Sequence, residues 1–133
     1  MAVGPYIVAI SLALLGASFT ARGDQTPKAL EEDLFRAKCI GCHAVACNRT
    51  GPKLRDLIGR SAGSVPDFTG YSEALKKSGL IWSEKTLDSF LQDPCRLVPG
   101  TSMTSAGKIA SVKERRMLIR FIKRADTSLD LCF

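Results

Sequence analysis

The chain contains a single histidine among 133 residues, and it directly follows two of the five cysteines, in Cys39-Ile40-Gly41-Cys42-His43. No other feature narrows the fold as far. Two thiols about one helical turn apart can each form a thioether to a vinyl group of a haem, and the adjacent imidazole then faces the iron. The C-x-x-C-H spacing is the attachment signal of a c-type haem for that reason. A thioredoxin-like redox pair would want a βαβ context, and a zinc site would want a second Cys/His pair. The sequence offers no βαβ pattern and no second histidine.

The rest of the chain reads as helices separated by long loops. Thr26-Pro27 is an N-cap followed by proline at the first helical position, with Leu30, Leu34 and Phe35 on one face. Ser72 precedes a short segment from Glu73 to Lys77 that Gly79 closes. Ser83 caps a run carrying Leu87, Phe90 and Leu91 on one stripe, and Pro94 stops it. Ser111 and Glu114 have the spacing of a capping box, with Met117, Leu118, Phe121, Ile122 and Ala125 as the apolar face behind it. Residues 48–70 and 95–110 are glycine-containing loops without strand alternation. The expected fold is all-α, its loops long because they wrap something. Few aromatics, nine in all, leave a thin core of ordinary side chains.

A haem iron takes a sixth ligand or keeps an open position. Of three methionines, Met1 belongs to the N-terminal segment and Met117 to a helix face, whereas Met103 sits in the polar loop Val98-Pro99-Gly100-Thr101-Ser102-Met103. A methionine there has reason to be buried only against something apolar, which makes Met103 the candidate ligand.

The first 21 residues carry no charged side chain. The stretch from Tyr6 to Gly16 has the length of a signal-peptide core, and Ala21-Arg22-Gly23 offers small residues for cleavage before Asp24. About twenty uncharged residues also suffice to span a bilayer as an uncleaved anchor. Residues 1–23 are therefore read as a signal peptide and 24–133 as the domain, placed outside the cytoplasm, in the periplasm. The charge of +6 argues for an acidic partner or surface. Dispersed Lys and Arg on an exported chain speak against nucleic acid.

From about Ala29 to Ala125 the chain resembles the class I cytochromes c, of the mitochondrial and bacterial cytochrome c2 group. The stretches that carry the resemblance are Leu34-Phe35, Cys39 to His43, Gly51-Pro52-Lys53-Leu54, Gly59-Arg60, Phe68-Thr69 with Tyr71, Gly79 to Trp82, Thr86-Leu87, Asp93-Pro94, and Val98 to Met103 with Ala106-Gly107. It implies one covalently attached haem c between His43 and Met103, with the Pro52 carbonyl accepting from the His43 ring N–H. Arg60, Tyr71 and Trp82 resemble residues that hold a haem propionate in relatives. The implied function is one-electron transfer rather than catalysis, since both axial positions are filled. A peroxidase-type enzyme would need a displaceable ligand and a distal acid–base group, for which no second histidine exists. Redox partners with an acidic docking face, such as an oxidase, a bc1-type complex, a reaction centre or a periplasmic dehydrogenase, follow from the same resemblance. Lys38 and Arg96 are the docking candidates, and the basic residues Lys113, Arg115, Arg116, Arg120 and Lys123 read as a solvated helix face.

The chain departs from the family pattern in several places. Phe90 stands where many relatives have a tyrosine near the methionine sulfur, and Cys95 and Ser102 replace docking lysines. Glu31 replaces the glycine that lets the terminal helices touch, which predicts looser packing there. Cys47, Cys95 and Cys132 are left over by the haem. The family fold places Cys47 and the chain end near one another and Cys95 on the other side, so a Cys47–Cys132 disulfide is expected, with Asp126 to Leu131 as its reach.

Overall fold

The computed structural model describes residues 1, 26–104, 108–125 and 132. The expected signal segment beyond Met1, the Ala106-Gly107 pair and the stretch 126–131 lie outside the described residues. Among the described residues five helices carry the fold: α1 (Pro27–Lys38), α2 (Glu73–Lys76), α3 (Glu84–Gln92), α4 (Pro94–Leu97) and α5 (Val112–Arg124). Among the described residues the only strand-like pairing is a single antiparallel bridge, Ser61 with Ile81. The fold is all-α.

Local chemistry sets the helix starts. The Thr26, Ser72, Ser83 and Ser111 side chains each accept the backbone N–H three residues on, satisfying a donor that a helix start leaves open. The reciprocal capping box is at α3, where Thr86 Oγ1 also accepts from the Ser83 N–H at 2.7 Å. At Ser111 the cap is the forward bond alone, onto Glu114 N–H. Pro94 ends α3 as expected, yet it also opens α4, because the Asp93 side chain caps the new turn through Arg96 N–H. Proline at a first helical position lacks only a donor the helix would not use.

α1 and α5 pack on each other through Phe35 and Phe121, both fully buried, with ring centroids 4.5 Å apart. Leu118, Ile119 and Ile122 complete the buried face of α5. Met117 is only half-buried, so the seam takes Ile119 where the sequence reading had Met117. Glu31 does not loosen this seam. Its buried carboxylate, 3% exposed, receives Arg120 Nε at 2.6 Å and Arg124 Nη1 at 2.5 Å from across α5. The basic face of α5 is correspondingly less free than its sequence suggests. Arg115 is 4% exposed, donating to Asp88 at 2.8 Å and to the carbonyls of Ile109 and Ala110. Lys123 pairs with Glu84. Cys47 and Cys132, 85 residues apart with Cα atoms at 5.7 Å, form the expected disulfide. Chain entropy alone gives such a long loop an upper stabilisation of roughly 4–5 kcal/mol.

Burial by itself would raise the Glu31 pKa, but the hydrogen bonds and charges of Arg124 and Arg120 outweigh it and hold it below the ordinary 4.5. A native pKa below the unfolded value stabilises the fold fully above the unfolded value, and the contribution disappears as pH falls through the native one. Denaturant unfolding is therefore expected to show wild type losing more stability between pH 7 and pH 3 than Glu31→Gln. Equal losses would show that the seam does not depend on the ionised carboxylate.

Candidate functional site

One cavity of about 1060 Å³, its open mouth included, lies among α2, α3, α5, the turn that follows α1 and the loops. Cys39, Cys42, His43, Pro52, Arg60, Tyr71, Trp82 and Met103 all line it, so the structure brings every site residue expected from sequence to one place. The walls between them are apolar: Leu54, Leu57, Leu75, Leu87, Phe90, Leu91 and Ile122.

The Cys39–His43 turn is a continuation of α1. Cys39 is the C-cap, its N–H donating to Phe35 O at 2.8 Å, and the N–H groups of Cys42 and His43 both return to Cys39 O. That turn brings both sulfurs and the imidazole to the same cavity. The ring is then fixed from behind. His43 Nδ1–H donates to the Pro52 carbonyl at 2.8 Å, leaving Nε2 with its lone pair. Gly51 packs so closely that a Cβ there would run into the ring. Burial, offset in part by the Pro52 bond, lowers the His43 pKa and keeps the imidazole neutral, the form that binds metal. Burial, together with the neighbouring Cys42, pushes the Cys39 thiol up to about 12. A catalytic redox cysteine needs the opposite, a pKa of roughly 3.5–7.5.

Met103 is brought in by a tight turn. Thr101 N–H donates to Val98 O at 3.0 Å, Gly100 takes a left-handed φ of 88°, and buried Thr101 accepts from Met103 N–H at 3.4 Å. Met117 is not among the cavity residues. Arg60 reaches the cavity while its Nη1 and Nη2 donate to the carbonyls of Arg55 and Lys53 at 2.8 and 2.9 Å. Trp82 is buried against Phe90, edge to face at 5.1 Å, and its backbone N–H donates to Arg60 O. Tyr71 accepts weakly from Val65 N–H at 3.4 Å and packs edge-on against Phe68 at 4.8 Å. Leu57 and Leu75 also line the cavity and were not singled out from sequence, and Leu54, Phe68 and Thr101 line it too, named there only within the stretches of resemblance. In a one-dimensional pattern, an apolar side chain facing a cofactor looks the same as one facing another side chain.

No family model matches the chain. A cytochrome c type-1 of Ascaris suum is 40% identical over 92 residues, covering 68% of this chain and 80% of that protein. A cytochrome c2 of Rhodoplanes tepidamans is 47% identical over 88 residues, 64% of this chain and 80% of that one. The solved structure of cytochrome cH from Methylobacterium extorquens matches with a TM-score of 0.67 at 38% identity, covering 73% of this chain and 97% of its own. The chain belongs to the class I c-type cytochromes.

Cytochromes of this class carry one covalently attached haem c and transfer electrons. The donor set of this cytochrome fits that group: two thiols one turn apart, a neutral imidazole of fixed tautomer and an apolar wall. The glycine at position 51 is explained by the same fit, since only a residue without Cβ lets the backbone lie flat on the His43 ring.

Proposed function

We propose that this cytochrome is an exported, periplasmic one-electron carrier in which His43 and Met103 are the axial ligands and Cys39 and Cys42 the points of attachment. The observation that carries the reading is the meeting of His43, its tautomer fixed by Pro52, with Met103 on one apolar cavity. When bound, the haem supplies an Fe(III)/Fe(II) couple. His43 donates through Nε2, and its Nδ1–H bond to Pro52 makes it a stronger base. The Met103 thioether is a weak, soft donor that favours the reduced state and raises the potential. With His43 and Met103 both holding the iron, it would have no position left for substrate, which supports reading this protein as a carrier rather than an enzyme. Arg60, Tyr71 and Trp82 supply cationic, O–H and N–H partners for a propionate. Phe90 brings no hydroxyl to the cavity, so the hydrogen bond that a tyrosine gives the methionine sulfur in relatives is lacking.

The uncharged N-terminal run supports export, and the Cys47–Cys132 bridge suits an oxidising compartment. Among the described residues no helix is long and apolar enough to cross a membrane. Lys38, in the last turn of α1, and Arg96, on α4, are exposed and are the docking cations. The partner is a redox protein with an acidic face. Stopped-flow association with such a partner is expected to slow several-fold between about 10 and 100 mM salt, as the Debye length shrinks from about 30 to 10 Å. A rate flat across that range would remove the acidic docking face.

A further inference from the structure

We infer that the Cys47–Cys132 disulfide positions the loop that orients His43, and so tunes the potential of the iron. The inference rests on the reading of His43 as axial ligand. Between Cys42 and Arg55 the chain leaves the attachment turn and comes back alongside itself. Gly51 N–H donates to Cys42 O at 2.7 Å, Leu54 N–H to Ala44 O at 3.0 Å and Arg55 N–H to Val45 O at 2.8 Å. The returning limb carries both groups that hold the imidazole: Gly51, packed on its face, and Pro52, its hydrogen-bond acceptor. Cys47 and Asn48 lie between the two limbs. Asn48 braces the return, its Oδ1 accepting Lys53 N–H at 2.9 Å while Nδ2 donates to Asp67 O at 2.9 Å.

Cys47 anchors this same loop to Cys132, beyond α5, the helix whose Ile122 lines the cavity. The loop is thereby tied at two ends: by backbone bonds beside His43 and by a covalent bond near its turn. The tip of the loop, Arg49 and Thr50, is exposed, and backbone hydrogen bonds next to an exposed tip open locally more readily than those of the core. A covalent anchor restricts that motion and keeps the Pro52 carbonyl on Nδ1–H. Freed of the anchor, the Nδ1–H···O contact is made a smaller fraction of the time, the imidazole donates less strongly, and Fe(III) loses stabilisation relative to Fe(II).

The test uses the ferrous and ferric holoprotein with Cys47→Ser/Cys132→Ser, and Cys95→Ser as the control, since exposed Cys95 is outside the disulfide and the cavity. In wild type, the His43 Nδ1–H proton should show the hyperfine shift of an axial ligand; its absence would overturn the ligand reading itself. Given that shift, the double variant is expected to exchange the Nδ1–H proton at least tenfold faster. Its reduction equilibrium should move two- to threefold toward Fe(II). Unchanged exchange and potential, with only a lower melting temperature, would reduce the disulfide to a stability staple and overturn the inference. An equal shift in Cys95→Ser would overturn it too. If the double variant does not fold, a phosphine that opens the disulfide but spares thioethers makes the same measurement on folded wild type.

Discussion

Replacing His43 with alanine is expected to leave no stable low-spin holoprotein. His43 is the only histidine in the chain, it is seated against Gly51, and its Nδ1–H is committed to Pro52, so no neighbour can take over its geometry. Haem can still be joined to Cys39 and Cys42, but the iron lacks a strong-field nitrogen ligand, and its absorption should move to a high-spin form. Met103→Ala is the graded counterpart. Covalent haem and His43 remain, the sixth position opens, the potential falls, and small ligands such as imidazole bind. A Met103→Ala protein with an unchanged low-spin spectrum and potential would assign the ligand to another group.

The second large effect is on stability. Phe35→Ala is expected to destabilise the folded holoprotein by about 3–5 kcal/mol, the ordinary loss for a phenylalanine removed from a close-packed interior. Phe35 and Phe121 are both fully buried, and their rings stack at 4.5 Å across the α1–α5 seam. Domains of this size are stable by about 5–15 kcal/mol in total, so the denaturant midpoint should fall steeply while the slope of the transition stays the same. Phe35→Leu, which keeps most of the volume, should lose far less. A loss under about 1 kcal/mol for Phe35→Ala would show that α1 and α5 can close over the gap.

Much of this architecture is written locally. Four serine or threonine caps mark four helix starts because each side chain reaches only three residues ahead. The C-x-x-C-H motif is legible for the same reason, since its chemistry is contained within one helical turn. Asp93 illustrates a local signal that was present and outweighed. It caps α4, but the proline after it reads more strongly as a stop than as a start. What escapes the sequence is distance. Glu31 meets Arg120 and Arg124, which lie 89 and 93 residues later, and nothing near position 31 announces them. Arg115 reads as one more solvated cation until Asp88 and two loop carbonyls close around it. A buried charge is visible in sequence only when its partner is a neighbour.

The Cys47–Cys132 bond divides the chain into a covalent ring and a tail. The ring contains α2 to α5 and the Met103 turn, while α1 and the Cys39–His43 segment form the tail. A single backbone nick anywhere from residue 48 to 131 leaves one covalent molecule. A nick between His43 and Cys47 leaves two pieces, one carrying Cys39, Cys42 and His43, the other Met103. The two proposed axial ligands thus belong to different topological units, and along the backbone only Ala44, Val45 and Ala46 join His43 to the ring.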